Sequence, residues 1–265
     1  MEVIIKPDAA SVSKTAASYF KNQLANHPAS VFGLATGSTP TGLYRELISL
    51  YKAGCVDFSS ATTFNLDEYI GLAPAHAASY HYFMREQLFA HVNLDPARTH
   101  LPDGLAANVL AHCQDYEKAI QAAGGIDLQL LGIGSDGHIG FNEPSSSLSS
   151  RTRIKTLTPR TLADNAKYFA PGAPVPQHVI TMGVGTIMEA RHCLVLALGA
   201  NKAEAVAAMT EGPITANCPA SILQMHPHCT LIIDEAAAQN LHRREYYRWV
   251  YENKPVWQNL ETREG

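Results

Sequence analysis

Short apolar-rich runs alternate along the chain with longer stretches in which apolar positions recur every three or four residues. Ser30–Ala35, Thr62–Leu66, Ile126–Ile133, His178–Met182, Cys193–Leu198 and Thr230–Ile233 form the runs. Runs of this kind predict strands covered on both faces. Between them, Leu43, Tyr44, Leu47, Ile48 and Tyr51 fall at helical spacing, and Asp8–Leu24, Ser79–His91, Ala106–Ala123 and Lys202–Met209 carry the same period. Such alternation predicts an α/β fold: a mostly parallel, open, Rossmann-like sheet with helices on both faces. Functional loops then belong at the carboxyl ends of the strands. No repeat, low-complexity tract or linker-like break divides residues 1–265, so one domain is expected. Residues 243–265 stand apart as an aromatic tail with Tyr246, Tyr247, Trp249, Tyr251 and Trp257, expected to pack on the body or on a neighbouring subunit.

Composition narrows the function classes. At 46% hydrophobic residues the chain buries a substantial core, and 17% charged residues with a net charge of −4 provide no broad positive field for coating nucleic acid. Anion binding therefore has to come from a local pocket. No apolar run approaches the ~18 residues of a membrane span, and the start lacks the basic flank and apolar stretch of a signal peptide. Five cysteines include no CxxC pair, which fits buried thiols in a reducing compartment. A soluble cytoplasmic protein without nucleic-acid or membrane partners is expected.

Four segments carry candidate chemistry. In Leu34–Thr41 a buried run ends at Gly37, Ser38 and Thr39, with Thr39 placed to cap a helix and Pro40 to open it; this is either a phosphate cradle or a plain helix start. No GxxxxGK[ST] pattern accompanies it. Asp67 and Glu68 follow another buried run, where neighbouring carboxylates in a cleft repel and one gains basicity; a helix-capping or solvent-facing acid pair is the alternative. Leu131–Pro144 holds Gly132, Gly134 and Gly137 in a GxGxxG spacing, but His138-Ile139-Gly140 is a poor helix start and no acid lies between Pro144 and Ala163 to bind a ribose. A dinucleotide site is rejected. What remains is a glycine-rich loop with Asp136, His138 and Glu143, a histidine that two carboxylates can hold in one tautomer for proton transfer. With no second histidine nearby in sequence, no metal is expected. The acid-free stretch Pro144–Ala163 carries Arg151, Arg153, Lys155 and Arg160, either an anion site or a solvated basic face, while Lys167 and Lys202 are further candidates for a phosphate.

Taken in order, LATGSTPTGLY from Leu34, TFNLDEYIGL from Thr63, LGIGSDGHIGFNEP from Leu131, SRTRIKTLT from Ser150, ITMGVGTIMEA from Ile180 and LGANKAEAV from Leu198 resemble the glucosamine-6-phosphate deaminase family. The resemblance implies that Asp67 moves a proton between C2 and C1 of the opened sugar, and that Asp136, His138 and Glu143 open the pyranose ring. It implies that Gly37, Ser38, Thr39 and Lys202 hold the substrate phosphate, with Lys167 where the family usually has arginine. A lysine there keeps the charge and loses the bidentate fork. His76-Ala77-Ala78-Ser79-Tyr80 also departs from the family's His-Pro-x-Ser-Tyr. The implied reaction converts glucosamine 6-phosphate to fructose 6-phosphate and ammonia without cofactor. The resemblance further implies a homo-oligomer and an effector, N-acetylglucosamine 6-phosphate, on Ser146, Arg153 and Lys155. A 6-phosphogluconolactonase-like hydrolase and a non-catalytic phosphosugar-binding regulator are the rivals. The Phe141-Asn142-Glu143-Pro144 continuation and the Asp67-Glu68-Tyr69 segment speak against the first. Retention of Asp67, Asp136, His138 and Glu143, with no room for a DNA-binding module, speaks against the second.

Overall fold

The computed structural model describes residues 1–255 and 258, so Trp257 and most of the end of the aromatic tail lie outside the described residues. The strands are β1 (Glu2–Lys6), β2 (Val31–Leu34), β3 (Thr62–Asn65), β4 (Asp67–Tyr69), β5 (Thr99–His100), β6 (Leu128–Gly132), β7 (Arg153–Thr156), β8 (His178–Thr181), β9 (His192–Ala197) and β10 (Cys229–Asp234). The α-helices are α1 (Ala9–Asn26), α2 (Thr41–Lys52), α3 (Tyr80–Gln87), α4 (Val109–Ala122), α5 (Pro159–Asn165), α6 (Val184–Met188), α7 (Ala203–Glu211) and α8 (Arg244–Glu252).

Seven strands form one sheet in the order β1-β10-β9-β6-β2-β3-β5, every pair parallel. In β9, Cys193 to Ala197 are buried without alternation, as are Leu231, Ile232 and Ile233 in β10, so both faces of the sheet are covered. This is the α/β architecture that the apolar runs predicted. Around it, α1 packs on α2, and Asp8 starts α1 by accepting the Ser11 N–H at 2.7 Å. On α8, Tyr247 and Tyr251 face the core beside β1, while Tyr246 and Trp249 are exposed. No helix among the described residues is long and apolar enough to cross a membrane.

Three local expectations change. His178–Met182 does not join the parallel sheet: β8 is the centre of a second, antiparallel sheet in the order β4-β8-β7. Burial identifies a covered strand but not its neighbour, and β4 and β7 were hidden in charged segments. Helix α2 begins at Thr41, not Pro40; Pro40 occupies the cap position and makes no side-chain cap hydrogen bond, so Thr39 is not the cap. Its hydroxyl is left to the cleft. Strand β1 is also new; it lies at the sheet edge with only Val3 and Ile4 fully buried.

Candidate active site

Carboxyl ends of parallel strands converge on a cleft of about 380 Å³. Its walls come from Ala35–Thr39 after β2, Leu66 and Asp67 after β3, Gly132–Ser135 and His138 after β6, and Asn201 and Lys202 after β9. The segment before α3 adds Ala77–Tyr80, and α5 with the turn beyond it adds Thr161, Asp164, Asn165, Lys167 and Tyr168.

At one end, the turn after β2 is fixed from below. Tyr44 donates its hydroxyl to the Ala35 carbonyl at 2.5 Å, and Thr41 Oγ1 donates to the Gly37 carbonyl at 3.2 Å. Gly37 has φ +97°, a conformation costly for any residue with a Cβ. Lys167 and Lys202, distant in sequence, both reach this cleft. Burial lowers the Lys202 pKa below its usual value, with Asp164 and Asp136 opposing the shift by their charges. The fold thus brings together Gly37, Ser38, Thr39, Lys167 and Lys202.

Asp67 opens β4 and is buried at the cleft wall. Burial, aided by the charge of Glu68, pushes its carboxyl up to about 8. In the same cleft, His138 Nδ1 lies 2.7 Å from Asp136 Oδ1 and 3.7 Å from Glu143 Oε2. Asp136 is held well below the usual carboxylate range: partial burial works against its charge, but the hydrogen bond and charge of His138 outweigh it. Gly134 permits the ring's position, because a Cβ there would meet His138 Cε1 and Nδ1 at 2.3 Å. Asp136, His138 and Glu143 each offer an atom within 4.8 Å of the others, a spacing that a metal could use. The 2.7 Å contact is that of a close ion pair, and Asp136 Oδ1 also accepts the His138 backbone N–H at 3.2 Å, which holds the imidazole beside its carboxylate.

The small sheet ties these halves together. Thr181 on β8 is the register partner of Asp67 on one side and of Arg153 on the other. Its Oγ1 accepts the Phe141 N–H at 3.0 Å, and Asn142 donates to the Met182 carbonyl at 2.8 Å. Sequence reasoning missed Thr181, since nothing marks a lone threonine in an apolar run.

The basic stretch divides. Arg151 binds Glu189 and Glu117, and Glu117 Oε1 also accepts from the Thr152 N–H at 2.7 Å and from the Thr152 and Thr186 hydroxyls at 2.5 and 2.6 Å. Arg151 is therefore committed to a structural ion pair. Arg160 is exposed. Arg153 and Lys155, two apart on β7, share a face; Arg153 donates to Asn142 Oδ1 at 2.8 Å, and burial lowers the pKa of both. Ser146 is buried, with no hydrogen-bond partner for its hydroxyl.

A sequence profile described as glucosamine-6-phosphate isomerases/6-phosphogluconolactonase matches residues 7–232. The chain belongs to this family. A glucosamine-6-phosphate deaminase of Cellvibrio japonicus is 56% identical over 250 residues, covering 94% of this chain and 95% of the relative. A solved structure described as a monomeric glucosamine-6-phosphate deaminase superposes with a TM-score of 0.88 at 41% identity, over 91% of this chain and 100% of that one. By contrast, 6-phosphogluconolactonase from Trypanosoma cruzi superposes at 0.72 with 21% identity, over 91% of this chain and 97% of that one, a likeness of fold. Within the family the chain is thus much nearer in sequence to the deaminases.

Proposed function

We propose that this protein converts glucosamine 6-phosphate and water to fructose 6-phosphate and ammonia, in the breakdown of amino sugars. The observation that carries the reading is that one cleft holds both a buried carboxyl made basic at Asp67 and a histidine bracketed by two carboxylates. Gly37, Ser38, Thr39, Lys167 and Lys202 anchor the phosphate at the end of the cleft. His138, oriented by Asp136 and Glu143, carries the proton from the O1 hydroxyl to the ring oxygen as the C1–O5 bond breaks. Asp67 then takes the C2 proton; the C2–H electrons form a C1=C2 enolamine and the aldehyde oxygen gains a proton. Returning a proton to C1 leaves an imine at C2, and water replaces its nitrogen, releasing ammonia. The substrate's own amine and carbonyl carry the electrons, so this path calls on no cofactor.

The same reading makes Ser146, Arg153 and Lys155 a second anion site, for the phosphate of N-acetylglucosamine 6-phosphate, in a cytoplasmic homo-oligomer. The unpartnered, buried Ser146 hydroxyl and the two partly buried cations Arg153 and Lys155 support this. Ammonia release, followed with and without the N-acetylated sugar phosphate, tests both parts. Glucosamine lacking the phosphate should be a very poor substrate, and the effector should lower the apparent KM. Hydrolysis of 6-phosphogluconolactone without ammonia release from the amino sugar would overturn the main reading. Kinetics indifferent to the effector would reduce Arg153 and Lys155 to a structural face, and sedimentation at assay concentration decides the oligomer.

A further inference from the structure

Glu68 neighbours the proposed base, yet on a strand its side chain leaves from the opposite face, and the chemistry above gives it no part. Its carboxylate is fully buried. Oε1 accepts the Tyr69 N–H at 2.8 Å and the Tyr80 N–H at 3.1 Å; Oε2 accepts the Tyr80 N–H at 2.9 Å and the His81 N–H at 3.0 Å. Every one of these contacts is a donor. A protonated carboxyl would find no acceptor for its O–H among them, so this nest of amides fits the ionised form. The Tyr80 and His81 amides are unpaired first-turn donors of α3, and Ser79 Oγ serves a third, the Tyr82 N–H at 3.1 Å. Glu68 is therefore the clasp on the chain segment that presents Ala77–Tyr80 to the cleft.

We propose that Glu68 is a positioning residue for the reaction, a fixed buried anion that acts on Asp67 from behind β4 and locks the first turn of α3 against the cleft. The inference rests on Asp67 being the base. Burial raises both carboxyls, but the Tyr69, Tyr80 and His81 amides pull Glu68 back down, so Glu68 holds the charge of the pair and that charge raises Asp67 further. Other groups around the pair do not compete as charges. Tyr69, Tyr80 and Tyr116 face Asp67 from β4, α3 and α4, and burial pushes all three above the usual phenol range. His81, beside Glu68, is lowered by burial and stays neutral at alkaline pH. His138 faces the cleft from the loop after β6, paired with its own carboxylates.

The test compares wild type, Glu68→Gln and Glu68→Asp in ammonia release from glucosamine 6-phosphate between about pH 6 and about pH 10. Glu68→Gln removes the charge, so the acid limb of kcat/KM should move down by about one pH unit, the scale of a nearby like charge. Glu68→Asp keeps the charge and withdraws it from the amides, so the limb should stay while KM rises several-fold. An unmoved limb in Glu68→Gln, or a moved one in Glu68→Asp, would overturn the proposal. Carboxyl NMR titration reads the same shift without turnover. If wild type releases no ammonia, the deaminase reading fails, and the titration still decides whether Glu68 governs Asp67. If Glu68→Gln does not fold, titration of the wild type decides: Asp67 losing its proton before Glu68 would overturn the proposal.

Discussion

One methyl group at Gly134 probes the proposed proton shuttle without altering any charged residue. A Cβ there would lie 2.3 Å from His138 Cε1 and Nδ1 and 2.6 Å from Cγ. Carbon atoms rest at about 3.5 Å or more, so the ring has to retreat by roughly 1 Å. Gly134 is not among the residues with positive φ, so its backbone admits alanine and the ring bears the cost. A retreat of that size takes the 2.7 Å contact between His138 Nδ1 and Asp136 Oδ1 out of hydrogen-bond range. Misplacing a catalytic group by about 1 Å costs on the order of 100-fold in rate, near 2.7 kcal/mol of barrier. Gly134→Ala should therefore lower kcat about 100-fold in the ammonia assay. KM should stay within about threefold, because Gly37, Ser38, Thr39 and Lys202 are contributed by other loops, after β2 and β9. A kcat within about threefold of wild type, in a protein with unchanged thermal unfolding, would refute the assignment of ring opening to His138.

Asp67→Asn should lower turnover by at least ~100-fold, the scale of general-base catalysis. In the folded chain Asp67 keeps its proton up to about 8, against an ordinary 3.8, so the folded state binds more protons in that window and loses stability as pH rises through it. The same variant should accordingly melt more than about 2 °C above wild type at alkaline pH, and equal melting temperatures would contradict the burial argument. Lys202→Ala should raise KM roughly 10- to 100-fold, equivalent to ~1.5–3 kcal/mol for a charge-assisted hydrogen bond, read by initial rates. Glu117→Gln leaves Arg151 and two threonine hydroxyls short of their acceptor and should cost about 2 kcal/mol in denaturant unfolding, while the folded enzyme keeps its KM.

The elements legible in the sequence were those for which burial on both faces leaves a continuous apolar run: β2, β3, β6, β9 and β10, with α1, α2 and α4 between them. Asp136, His138 and Glu143 were legible because eight residues of one loop hold all three. What escaped were elements whose sequence is set by the site instead of the core. Strand β4 is Asp-Glu-Tyr, and β7 is Arg-Ile-Lys-Thr with alternate residues exposed; neither offers an apolar run. Partnerships across the fold were also invisible. Arg151 read only as one charge of a basic stretch, anion site or solvated face, because its acceptor Glu117 lies 34 residues away on α4. Helix capping was one reading of the Asp67–Glu68 pair, but which helix Glu68 serves was not legible, since the Tyr80 and His81 amides lie twelve and thirteen residues downstream.

Thr181 has Asp67 on one flank and Arg153 on the other. Neighbouring strands stand about 4.8 Å apart, so two hydrogen-bonded ladders, roughly 10 Å in all, join the basic face of β7 to the proposed base. An anion that moved β7 would therefore reach the proposed base through strands of one chain. An effector response along this path would not depend on subunit rotation. Linkage then runs both ways: an anion that tightens sugar binding through β8 is itself held tighter by the same factor once the cleft is filled. The proposed second anion site would then be coupled to the proposed base within each protomer, whatever the assembly.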